Sequence, residues 1–170
     1  MGERRGASAA IVALLIVALA ACTPEAAPAP PPSPSVVSSE DAAFAAAEAT
    51  YRAYVDAVNA RRADPDSPLD PESLLTAAAL IDHQKTEELL ESRGLTIDGP
   101  SVVRSASHVK HSGQVRLIVC LDATRTSVLD ASGRDVTPKL RAEVVAIDVR
   151  FASRDGSMLI AGATTADAEC

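Results

Sequence analysis

The run QVRLIVCLDAT, residues 114–124, alternates without a break. Val115, Leu117, Val119 and Leu121 fall on one side, and Arg116, Ile118, Cys120 and Asp122 on the other. A period of two with β-branched and apolar residues on one face is the pattern of a strand half-buried against a core. Downstream, Ser127-Val128-Leu129 extends toward a turn at Ala131-Ser132-Gly133-Arg134-Asp135. Residues 143–151 place Val145, Ile147, Val149 and Phe151 on one face, and Arg154-Asp155-Gly156 supplies an Asp-Gly hairpin signal before a last strand over 158–165. Upstream, 101–109 reads as a strand with mixed faces.

Before Gly94 the period is helical. Ser38-Ser39-Glu40-Asp41 offers capping hydroxyls, then acids suited to the positive end of a helix dipole. Phe44, Ala47, Tyr51, Val55 and Val58 recur at three- and four-residue steps, and Arg61-Arg62 suits the negative end. Residues 63–71 (ADPDSPLDP) form a turn-rich break. A second helical stretch, 72–93, is expected to be broken once. Its apolar faces are Leu74, Ala78 and Ile81, and Leu75, Ala79, Leu89 and Leu90, with Gly94 as the stop. Two helices followed by four or five antiparallel strands joined by hairpins predict an α+β domain over residues 40–170, with N-terminal helices packed on one face of a curved antiparallel sheet.

Residues 1–21 predict a signal peptide. Arg4 and Arg5 precede the apolar run IVALLIVALAA at 11–21. From Ala9 to Ala21 the apolar stretch is about 20 Å long as a helix, against a bilayer core of about 30 Å. It is too short to span and suits an export signal. The closing Leu19-Ala20-Ala21-Cys22 resembles a bacterial lipobox. That resemblance implies cleavage between Ala21 and Cys22, a diacylglycerol on the Cys22 thiol, and a cell-membrane anchor on the extracytoplasmic face. Two acyl chains make such an anchor durable. The segment 22–39 then carries Pro24, Pro28, Pro30, Pro31, Pro32 and Pro34 among Ala and Ser. Such a composition buries no core, and it predicts a disordered, extended tether reaching roughly 50 Å at about 3.1 Å per residue.

The remaining composition narrows the function. The 170 residues carry a net charge of −7, with 16 basic against 23 acidic groups. That argues against nucleic acid as a partner, which calls for a basic face. Aromatics are 2% and Trp is absent, so stacking platforms for bases or sugars are not expected. With Cys22 lipidated, Cys120 and Cys170 remain as an even pair in an oxidising compartment, and a disulfide between them is expected. No metal site and no cofactor are predicted. Two distant cysteines lack a fitting histidine pair, and His108 and His111, three apart in a strand, point to opposite faces. His83 follows Asp82 in a helix, where neighbours do not face each other. Neither Ser73 nor Ser92 lies in a nucleophile-elbow motif. Asp122 and Asp148 fall opposite the apolar row, where solvent or ion pairs with Arg116 and Arg150 would hold them.

The residues 47–60 (AEATYRAYVDAVNA), Val119-Cys120-Leu121-Asp122, the hairpin Val128-Leu129-Asp130-Ala131-Ser132-Gly133-Arg134 and a closing cysteine, in this order, resemble the NTF2-like (cystatin-like) cone fold. More narrowly, they are similar to actinobacterial lipoproteins carrying such a domain. Met158 or Leu159 stands where such chains often have a tryptophan, which implies an interior lined by small residues. The resemblance implies an extracytoplasmic binding or interaction module for a protein partner or small hydrophobic ligand, with homodimerisation through the outer sheet face common to the fold. It also implies two alternatives. One is an isomerase or hydrolase using a carboxylate and a tyrosine in the pocket, for which Tyr51, Tyr54 and Asp122 are the candidates and Asp148 and Asp56 the rest of the inventory. The other is a carrier of a hydrophobic ligand. No constellation compels an enzymatic reading.

Overall fold

The computed structural model describes residues 39–109 and 113–170 of the chain. Cys22, the expected signal peptide and nearly all of the expected tether, and His111, lie outside the described residues. The domain is α+β: two helices pack against antiparallel sheet that does not close into a barrel.

Helix α1, Ser39–Ala63, opens with Glu40 and Asp41 and ends with Arg61 and Arg62, matching side-chain charge to the helix dipole at both ends. Its apolar stripe lands as the period requires. Phe44, Ala47, Tyr51 and Val55 are buried, each at most 6% exposed. After the proline-rich break, a 3₁₀ turn over Glu72–Leu74 precedes α2, Ala77–Ser92. The expected interruption of the second helix therefore falls at Leu75-Thr76. Thr76 caps α2 by accepting from the Ala79 amide. At the other end, Gly94 takes φ 63° while the Gly94 and Leu95 amides donate to Glu91 and Leu90, a Schellman closure.

Six strands form two sheets. β1 (Thr96–Asp98) pairs with β4 (Ser127–Leu129). β2 (Val102–Val109), β3 (Arg116–Asp122), β5 (Val144–Arg154) and β6 (Ser157–Thr165) form a four-stranded antiparallel sheet in the order β2-β3-β5-β6. This corrects the expected single sheet of four or five hairpin-linked strands. β1 is an additional strand, and β4 pairs with it, while the expected hairpin remains as the bridge Leu129 to Asp135 and the amides of Asp130 and Val136 donating to the carbonyls of Arg134 and Val128. Between β5 and β6, Asp155 (φ 52°) and Gly156 (φ 79°) make the two-residue turn, both in the left-handed region that a type I′ hairpin demands.

The β3 alternation carries the core. Leu117 and Val119 are fully buried, opposite Val149 and Ile147 of β5. They meet Phe44, Ala47, Tyr51 and Val55 from α1, with Val103, Phe151 and Ile160 completing the cluster. Polar ties lock α1 to β2. Asn59 donates to the Ser101 carbonyl at 2.7 Å and accepts from its amide at 2.9 Å, and Arg52 donates to the Val103 carbonyl. On the opposite side of the sheet Cys120 is bonded to Cys170, their Cα atoms 5.6 Å apart.

α2 departs from expectation. Of its apolar residues only Ala79 is buried, while Ile81 and Leu89 are about half exposed. The helix hangs from β6 at its start, where the Thr76 amide donates to the Ile160 carbonyl and Leu75 bridges Ile160 in parallel. Along the rest of its length it stands off from the core, and a hollow is left between them.

Candidate functional site

A chamber of about 410 Å³ lies between α1, α2 and the C-terminal half of β6. α1 presents Tyr51, Tyr54, Val58 and Arg62 to it, spaced at three or four residues and hence along one face. α2 presents Ala79, Asp82, His83, Thr86, Glu87 and Leu90, the same spacing on the facing helix. Leu75, Ile147 and Ile160 supply apolar wall, with the Gly162 backbone of β6 beside them. On the outer side of the sheet the Arg150 guanidinium covers Gly162, 2.6 Å from where a Cβ would stand.

The polar groups converge where the helices face each other. The Tyr54 hydroxyl and His83 Nδ1 share a hydrogen bond of 3.3 Å, the rings meeting edge-on at 78°. Tyr51 lies against Tyr54, ring centroids 6.1 Å apart. Burial pushes both phenols above their ordinary range. The Tyr54 hydroxyl adds to the effect on Tyr51, and the Glu87 carboxylate adds to that on Tyr54 while Arg62 opposes it. Both tyrosines therefore stay protonated at neutral pH and serve as hydrogen-bonding groups. Arg62 donates through Nη1 to the Gly99 carbonyl at 3.4 Å and to Ser101 Oγ at 3.2 Å. Its guanidinium is pushed down by burial, with Glu87 and Tyr54 pulling the other way. Among the described residues no group of three or more His, Cys, Asp or Glu side chains could hold a metal ion, and no helix is long and apolar enough to cross a membrane.

The candidate trio is split. Tyr51 and Tyr54 line the chamber together. Asp122 does not: it sits on the opposite face of β3 from Leu117 and Val119, bonded to Arg104 at 2.6 Å and to Thr124. Its partner is also not the one expected. Register pairs Val102 with Asp122, and the irregularity between Val103 and Ser105 brings Arg104 beside it. Asp148 does pair with Arg116, one diagonal step away across β3 and β5. Asp56 on α1 is exposed. His108 stacks on Phe44, centroids 4.1 Å apart and nearly parallel, a packing role.

Three site residues escaped the sequence reading: His83, Glu87 and Arg62. Along the chain His83 has Asp82 as its neighbour, whereas its partner is Tyr54, on another helix 29 positions away. In the sequence Arg62 reads as a helix-dipole residue, and its reach to Ser101 depends on where β2 begins. The usable signal was the spacing of His83, Thr86, Glu87 and Leu90, which marks a polar-apolar stripe on α2.

Comparison of the chain with family models, with curated proteins and with solved structures finds no match in any of the three.

Proposed function

We propose that this chain is a lipid-anchored, extracytoplasmic module whose α+β domain, of the NTF2-like type, binds a small and largely apolar molecule between α1, α2 and β6. The observation that carries the reading is the chamber of about 410 Å³, with apolar walls and a few convergent polar groups on one side. Most small-molecule sites have that character. Two helices against an open antiparallel sheet, with a hollow between them, support the cone-fold part. The Leu-Ala-Ala-Cys segment and the proline-rich stretch support anchor and tether. The Cys120–Cys170 disulfide supports an oxidising compartment.

Two measurements test the proposal. Thr86→Trp, at an exposed position on the rim, fills the chamber without touching the core. Native mass spectrometry of the purified full chain should show uptake of a small apolar probe such as ethylbenzene, and the variant should lose it. Equal uptake by both proteins overturns the site. For the anchor, blocking lipoprotein signal peptidase should leave a heavier, uncut form, and Cys22→Ala should leave the membrane without its lipid. Wild-type protein of unmodified, unprocessed mass overturns the anchor.

A further inference from the structure

A second hollow of about 560 Å³ lies beside the chamber, bounded by Arg61, Pro65, Pro71, Glu72, Glu91 and Leu95. The two share Val58, Arg62, His83, Glu87, Leu90 and Ile97. Arg62 and Glu87 therefore stand at the seam, each facing both spaces. Only Nη1 of Arg62 is engaged, by Gly99 and Ser101. Among the described residues its Nε and Nη2 meet no acceptor, and Glu87 has no hydrogen bond or ion pair. The two groups nevertheless feel each other electrostatically. Both side chains line both hollows, so a molecule seated at the seam meets one cation and one anion. Asp82, the other carboxylate on this stretch of α2, pairs with Lys85 at 3.3 Å. Below the seam the wall is Tyr51, Leu75, Ala79, Ile147 and Ile160, apolar apart from the Tyr51 hydroxyl.

We infer that Arg62 and Glu87 receive the two charges of a zwitterion, and that the ligand is an α-amino acid with a large apolar side chain. Its carboxylate lies on the free fork of Arg62, its ammonium on Glu87, and its side chain in the chamber against Tyr51 and Tyr54. A guanidinium fork matches a carboxylate in two parallel bonds. A purely anionic ligand would face Glu87 with like charge, and a purely cationic one would face Arg62. The inference rests on the chamber being a ligand site and names what that site selects.

The test uses four probes with one apolar body, titrated calorimetrically into the full chain: L-phenylalanine, 3-phenylpropionate, 2-phenylethylamine and ethylbenzene. L-phenylalanine should bind at least about tenfold more tightly than either singly charged analogue. Glu87→Gln should abolish its advantage over 3-phenylpropionate, and Arg62→Gln its advantage over 2-phenylethylamine. Ethylbenzene uptake should be unchanged in both variants, which also shows that they fold. Should Arg62→Gln fail to fold, Arg62→Lys and Glu87→Gln carry the comparison. If a singly charged analogue binds as tightly as the amino acid, or ethylbenzene binds and L-phenylalanine does not, the zwitterion is overturned and the chamber stands. If none of the four binds, the ligand site itself falls with it.

Discussion

Asp122 accepts from the Thr124 amide at 2.8 Å, from the Thr124 hydroxyl, and from Arg104 through Nε and Nη2. Every one of these bonds favours the ionised carboxylate, and they lower its pKa to about 2, with Thr124 the larger cause and Arg104 next. The sign of the consequence is fixed. A depressed acid contributes stability that is full above its unfolded value and is lost as pH falls through its folded one. Asp130 and Asp135, also lowered by side-chain and backbone donors, act in the same direction. Urea unfolding of the wild type should therefore lose stability between about pH 4 and pH 2, and Asp122→Asn should flatten part of that fall. A carboxyl carbon titration midpoint near the ordinary 4 would contradict it. The alternation of 114–124 already placed Asp122 off the apolar face. Its true cation was hidden, because a bulge in β2 sets where Arg104 stands.

At the level of elements, β3 and α2 make opposite cases. In β3 the period of two picked out the core pair Leu117 and Val119, which are fully enclosed, while Leu121 on the same face is only partly buried and Cys120 on the other face is buried as well. In α2 a helical apolar pattern is present, yet Ile81 and Leu89 remain about half exposed. The pattern was legible as helix but not as depth. Depth depends on what faces the helix, and here that is a hollow. Leu117→Ala should cost about 3 kcal/mol or more, since transfer and cavity terms add in a site that cannot collapse. Ile81→Ala should change stability by roughly 0.5 kcal/mol or less, as surface substitutions do. Chemical denaturation of both variants checks the contrast. A large loss at Ile81 would mean that α2 packs more tightly than described. β1 is not legible because the three residues Thr96–Asp98 carry too little pattern, and only Ser127–Leu129, far along the chain, makes them a strand.

For the molecule as a whole, the disulfide closes a span of 50 residues and ties residues 166–170 across the outer side of the sheet, where the Ala166 amide also donates to the Ala146 carbonyl. Restricting the unfolded chain over such a span stabilises by about 4 kcal/mol at most. Cys170→Ser should therefore lower the unfolding free energy by an amount approaching that figure, read as a lower urea midpoint at similar m-value, while far-ultraviolet dichroism keeps its native shape. An unchanged midpoint would show that the bridge does not govern stability. The pairing was legible from arithmetic on three cysteines. The chamber was not, because it arises from the distance between two helices whose spacing no single segment encodes.

The light attachment of α2 has a kinetic side. A helix with one enclosed residue can lift at a small fraction of the cost of unfolding everything, whereas β3 can be exposed only by global opening. Amide protons of α2 should exchange with solvent long before those of β3. A molecule held beneath that helix would then have a residence time set by how often the helix lifts, with the sheet an unmoving back wall throughout.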